Sequence, residues 1–236
     1  MKEETRIGSS ISGIQTTRKS YPGHSSIILS EMNVMTAQMH HIFIDKPFGK
    51  FIFVDIGICG EHMKKATREH LAEVAKEMAQ IPFHGAVDGL ESNLAPIVRA
   101  FPTWSLREAD GLWCAAFVYY CCREAGFGIP YRPGECKTCH LAACLGWEEF
   151  ALSDPRIEYH KGAEGLVPEA GDIVIYNRVF ENKEHDHMGI ILEKREHSFL
   201  AAEGNINNVS GIIQRSIDEH IRAYIRIPDG YRYKAE

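Results

Sequence analysis

Residues 110–126, DGLWCAAFVYYCCREAG, decide how the rest of the chain is read. They predict one helix. Asp110 is placed to cap its first turn, Gly126 to end it in the left-handed conformation, and Pro130 to bar continuation. Cys114, Phe117, Val118, Cys121, Cys122 and Ala125 recur at i, i+3, i+4, i+7, i+8 and i+11. Trp113 and Tyr120 widen that apolar stripe, so the helix belongs in a core. Cys114 heads the stripe in the first turn, where free N–H groups and the helix dipole favour a thiolate. Cys121 and Cys122 lie mid-helix and read as inert core thiols.

Downstream, residues 140–150 predict a second helix, and the chain then turns β-rich. The runs are DIVIYNR (172–178), HMGIILE (187–193), SFLAAE (198–203), GIIQRSI (211–217) and AYIRIP (223–228), with short turns between them that suggest an antiparallel meander. Upstream, residues 61–80 read as a helix closed by Pro82, and a short helix is expected around residues 93–99. The irregular stretch 83–110 delivers the chain to the Cys114 helix and is expected to form a wall of a cleft. Helices first and strands afterwards make an α+β domain, its helices packed on a small antiparallel sheet.

Residues 1–60 read as a β-rich extension to a main domain of 61–236. The first twenty residues, rich in Ser, Thr and Gly, are expected to be loosely held. SSIIL, MHHIFI and FIFVDI read as strands, the last two as a hairpin across Pro47 and Gly49. This element is expected either to pack on the main domain or to pair two copies as a homodimer.

The 236-residue chain has a formal charge of −6 and scattered basic residues, which argues against a nucleic-acid partner. No apolar run approaches the ~18 residues of a membrane span, and the first residues lack the apolar core of a secretory signal. A cytoplasmic protein is the expectation. Seven cysteines, three on one helix and three within 136–144, fit reduced thiols better than a disulfide framework. Cys136, Cys139, His140 and Cys144 raise a zinc reading, but adjacent Cys139 and His140 point apart, so no metal or cofactor is expected.

Two strands can be paired on paper. A hairpin turning through Lys194-Arg195-Glu196 sets His187 opposite Glu203, on a face that also carries Gly189 and Ala201, small enough to admit a helix end. The other face, with Met188, Ile190, Leu192, Leu200 and Ala202, reads as core. A two-residue shift would set Asn205 opposite His187 instead. Either way an imidazole gains a polar partner that can fix its tautomer while its other nitrogen faces Cys114. His185 has the same parity but lies in a charged loop and ranks below His187.

WCAAFVYYCCREAG, CLGWEEFA, GDIVIYNR, HMGIIL and EGN, in this order, resemble the CHAP domain (cysteine- and histidine-dependent amidohydrolase/peptidase) of the papain-like superfamily, most nearly its bacterial and phage members. The likeness spans about residues 61–228. It implies a papain-like fold, Cys114 as nucleophile, His187 as base and Glu203 or Asn205 as the orienting group. It also implies cleavage of amide bonds in peptidoglycan-derived or similar peptides. Trp113 is expected either as a cleft wall in contact with substrate or as a plain core residue. The rival reading is a catalytically inactive papain-like binding or regulatory module.

Overall fold

The computed structural model describes the backbone of residues 14–19, 27–34, 37–44 and 52–55, and residues 66–234 apart from 82, 88 and 165. The chain divides into two compact units, Met1–His62 and Met63–Glu236.

Among its described residues the first unit holds four strands, β1 (Ile14–Lys19), β2 (Ile27–Val34), β3 (Ala37–Ile44) and β4 (Ile52–Asp55), in an antiparallel sheet of that order. β3 and β4 form the expected hairpin, Ile44 opposite Ile52, while its turn lies outside the described residues. Of the first twenty residues, expected to be loosely held, 14–19 form β1, which pairs Ile14 with Met32; 1–13 and 20 lie outside the described residues.

The second unit is α+β. Its helices are α1 (Arg68–Gln80), α2 (Ala95–Val98), α3 (Leu106–Ala109), α4 (Cys114–Glu124) and α5 (Cys144–Ser153). Its strands are β5 (Glu158–Lys161), β6 (Ile173–Tyr176), β7 (His187–Lys194), β8 (Ser198–Ile206), β9 (Val209–Ser216) and β10 (Ile221–Arg226). The helices pack against an antiparallel sheet ordered β5-β10-β6-β7-β8-β9. β6 to β9 make the expected meander. β10 departs from it, crossing back to pair Ile225 with Ile173 on β6 and Arg226 with Glu158 on β5.

Local chemistry sets the helix starts. α1 begins where Thr67 accepts from the His70 N–H (3.1 Å), several residues later than expected; 61–65 lie outside the described residues. α3, which the sequence reading missed, rests on a capping box between Ser105 and Glu108. α5 begins at Cys144 rather than at residue 140, because His140 turns back: its Nδ1 accepts from the Ala142 N–H and its carbonyl from the Ala143 N–H.

The sheet carries apolar side chains on both faces. Met188, Ile190 and Ala202 join Leu71, Ala75, Trp113, Phe117, Val118, Cys121 and Cys122 in the main core. Val174, Tyr176, Ile191, Phe199, Ala201 and Tyr224 form a smaller cluster. Each fully buried Ile, Phe or Met contributes about 1.5–3 kcal/mol, so α4 is fixed to the sheet along its length.

Candidate active site

α4 sets Cys114 at its first residue. Its far end is the predicted one: Gly126 has φ +87°, and the N–H groups of Gly126 and Phe127 return to the carbonyls of Arg123 and Cys122. Its near end is not. Asp110 does not cap α4; it ends α3, and its carboxylate accepts from the Ala86 N–H (2.9 Å) and from Asn208 Nδ2 (2.7 Å). Trp113 stands at the cap position with no side-chain cap, so the first-turn amides of α4 have no intrahelical acceptor.

Trp113 is fully buried and is not among the residues lining the cavity, which fits the core alternative rather than a substrate wall. Its indole N–H donates to Asn208 Oδ1 (2.9 Å), which also takes the Gly111 N–H (3.1 Å). The helix end meets β8 at Gly204, where a Cβ would stand 2.5 Å from Phe117 Cβ and 2.7 Å from Trp113 Cζ3. The room expected at Gly189 and Ala201 serves another purpose. At Gly189 a Cβ would stand 2.6 Å from Glu203 Cγ, so this glycine admits the carboxylate arm.

The β7–β8 register is the shifted one: Ile190 pairs with Ala202 and Ile191 with Ala201, and a bulge follows before Glu193 meets Leu200. His187 is therefore not directly opposite Glu203. The side chains meet all the same, across Gly189: His187 Nε2–H donates to Glu203 Oε2 (2.8 Å), both residues being almost fully buried. Asn205, the alternative partner, turns away with φ +63° and donates to the Gly111 carbonyl (2.9 Å).

A residue absent from the sequence reading completes this group. Arg215 on β9 forks onto Glu203, Nε to Oε1 (3.0 Å) and Nη2 to Oε2 (2.6 Å). Its guanidinium lies 5.2 Å from the Tyr176 ring and 5.3 Å from that of Phe180. Tyr176 stacks on His187 at 6.0 Å and Phe180 meets it edge-on at 4.7 Å. The one sequence signal was a lone arginine inside the β-run GIIQRSI.

With Nε2 given to Glu203, Nδ1 of His187 is the nitrogen left for Cys114, and ring and sulfur lie near enough to shift one another's ionisation. Hydrogen bonds from the Cys144 thiol and from His187, with the imidazolium charge, hold the Cys114 thiol well below the usual range although burial opposes them. Burial works against the His187 imidazolium, but Cys114 and Glu203 outweigh it and raise the ring to about 9. Burial likewise opposes the Glu203 carboxylate, and His187 and Arg215 keep it ionised. Both shifts favour a thiolate beside an imidazolium, next to a buried carboxylate.

Cys114 and His187 line a cavity of about 650 Å³. Its walls include Trp104, Leu112, Cys144, Phe180 and Asp186. Asp186 anchors the β6–β7 loop that carries Phe180, its Oδ2 accepting from the N–H groups of Val179, Phe180 and Glu181. His185, on the other side of Asp186, bonds instead to Glu148 on α5. The suspected zinc ligands do not gather: Cys136 donates to the Gly146 carbonyl, His140 to Ala142 is a local turn, and Cys144 faces Cys114 at 3.9 Å. Among the described residues no three His, Cys, Asp or Glu side chains are grouped to hold a metal ion. No described helix is long and apolar enough to cross a membrane.

Comparisons with protein-family models, curated proteins and solved structures return no match. Chemically, the arrangement offers a nucleophilic sulfur and an adjacent proton donor on one cavity, with the sulfur at the start of a helix whose cap residue gives no side-chain bond.

Proposed function

We propose that the chain is a cysteine amidohydrolase or peptidase of papain-like architecture, related to CHAP domains, acting on peptidoglycan-derived or similar peptides. The observation that carries this reading is that Cys114, at the start of a buried helix, and His187, hydrogen-bonded to the buried Glu203, line one cavity.

In this mechanism the Cys114 thiolate attacks an amide carbonyl. The developing oxyanion lies near the first turn of α4, where backbone N–H groups and the helix dipole favour negative charge. The His187 imidazolium, charged in the resting pair, delivers its proton to the leaving amine. The neutral ring then takes a proton from water, which attacks the thioester and frees Cys114. Glu203 fixes the ring with Nε2 protonated, and Arg215 is a positioning residue that keeps Glu203 ionised.

The test is to incubate the full chain and Cys114→Ala with purified muropeptides and a panel of aminoacyl amides, reading products by mass spectrometry. New amine and acid products from the wild type, absent with Cys114→Ala, are expected. A wild-type chain that turns over no member of either set would overturn the proposal.

A further inference from the structure

Two cysteines, not one, open on the cavity. Among the described cysteines only Cys144 shares that wall with Cys114, and the two sulfurs are 3.9 Å apart. Each is the first residue of its own helix, Cys114 of α4 and Cys144 of α5. A side chain there has no preceding helical turn to collide with, so its χ1 is freer than at an interior position. A disulfide needs sulfurs about 2.0 Å apart, so closing this gap takes an approach of about 2 Å, to which rotation of both side chains contributes. The other described thiols are placed elsewhere: Cys121 and Cys122 are sealed in the core, Cys136 donates to the Gly146 carbonyl, and Cys139 is outside the cavity wall.

We infer that Cys114 and Cys144 form a reversible oxidation site, in which a hydroperoxide reaching the cavity is reduced and the two thiols end as a disulfide. Cys114 thiolate attacks the peroxide oxygen, and the O–O bond breaks. The alkoxide or hydroxide leaves with a proton from His187, and Cys114 becomes a sulfenic acid. The Cys144 sulfur then attacks the sulfenic sulfur; the S–O bond breaks, and hydroxide departs with the thiol proton as water. The peroxide gains the two electrons that the two thiols lose. The geometry suits this order of events. The hydrogen bond to Cys114 and its negative charge push the Cys144 thiol up, and oxidation of Cys114 removes that charge just when Cys144 must act. The cross-link itself rests on the sulfur geometry; that it would silence hydrolysis rests on the reading of Cys114 as nucleophile.

The experiment treats the reduced full chain with hydrogen peroxide, alkylates residual thiols and maps the peptides by mass spectrometry, before and after dithiothreitol. The expected product is one peptide pair joining Cys114 to Cys144, short of two hydrogens and fully restored by dithiothreitol. In Cys144→Ser, Cys114 is expected to pass on to the sulfinic acid, which dithiothreitol does not reverse. The inference is overturned if wild-type Cys114 goes to sulfinic acid while Cys144 stays alkylatable, or if the cross-link joins Cys114 to another cysteine. Peptide mapping of the wild type decides this even where the serine variant fails to fold. Hydrolysis by the reduced protein is scored separately: a chain that cross-links but cleaves no amide loses only the proposed function, and one that cleaves but does not cross-link loses only the oxidation site.

Discussion

Glu203 and Glu148 are both buried, and each is gripped by an arginine fork and a histidine. Glu203 holds His187 and Arg215; Glu148 holds His185, Arg222 and the Tyr159 hydroxyl. The two histidines are two residues apart on one segment, with Asp186 between them. Yet of the two, His187 is the ring whose ionisation is coupled to Cys114. The Glu148 group ties α5 to β5 and β10, and there burial opposes the carboxylate while Arg222, Tyr159 and His185 pull it down to about 2. A buried carboxylate with an arginine and a histidine is thus a structural device in both places. It becomes a candidate for chemistry only where the second ring nitrogen faces Cys114.

The comparison can be broken most directly at the sulfur. Cys114→Ala should lower amide hydrolysis by at least about 10³-fold and leave thermal unfolding nearly unchanged, measured by turnover and calorimetry. An equal loss from a change at His185 would erase the distinction between the two groups.

Glu203→Gln is the next largest. It leaves Arg215 without its counter-charge in a mostly buried site, an expected cost of about 3–5 kcal/mol in denaturant unfolding. Hydrolysis should fall by about 10²–10⁴-fold as the ring loses its orientation. Glu148→Gln should cost about 3 kcal/mol by the same physics. It should nevertheless leave the iodoacetamide reactivity of Cys114 as it was. Loss of thiol reactivity in both variants would show one coupled network.

The pH dependence sharpens the contrast further. His187 is raised to about 9, so its contribution to stability is complete below the ordinary histidine range and is lost as pH rises through about 9. Hydrolysis should fall over the same alkaline interval, because the proton for the leaving amine is gone. On the acid side the Cys114 thiol is held well below its usual range. Alkylation at pH 6 should therefore stay near its rate at pH 8, where an ordinary thiol loses roughly a hundredfold. In Glu203→Gln the alkaline limb should move down by about 1–2 pH units.

The smallest expected effect is Tyr159→Phe, which removes one hydroxyl donor from Glu148. About 1 kcal/mol of stability should go, with no change in hydrolysis or in Cys114 alkylation.

Much of this was legible because it rests on short-range patterns. The stripe from Cys114 to Ala125 set the buried helix, and strand alternation put His187 and Glu203 within reach of one another. What misled was competition for side chains. Asp110 looked like a cap for α4, but Ala86 and Asn208 take its carboxylate, and they come from segments far away in sequence. The turn sets Lys194 opposite Phe199, the bulge between Ile191 and Glu193 then changes the pairing by one residue, and nothing in HMGIILE marks either. Trp113 looked like a cleft wall because it adjoins Cys114, yet Asn208 holds its indole inside.

By itself the sequence determined an α+β domain with a cysteine at the head of its buried helix and a histidine at the start of a strand, since helical and strand periods need only neighbours a few residues apart. Only the tertiary structure decided that Glu203 rather than Asn205 holds the ring, that Arg215 keeps that carboxylate ionised, and that Cys144 stands beside Cys114. Each of these joins separate segments through charge, burial and close approach, which take effect only once the backbone has brought those segments together.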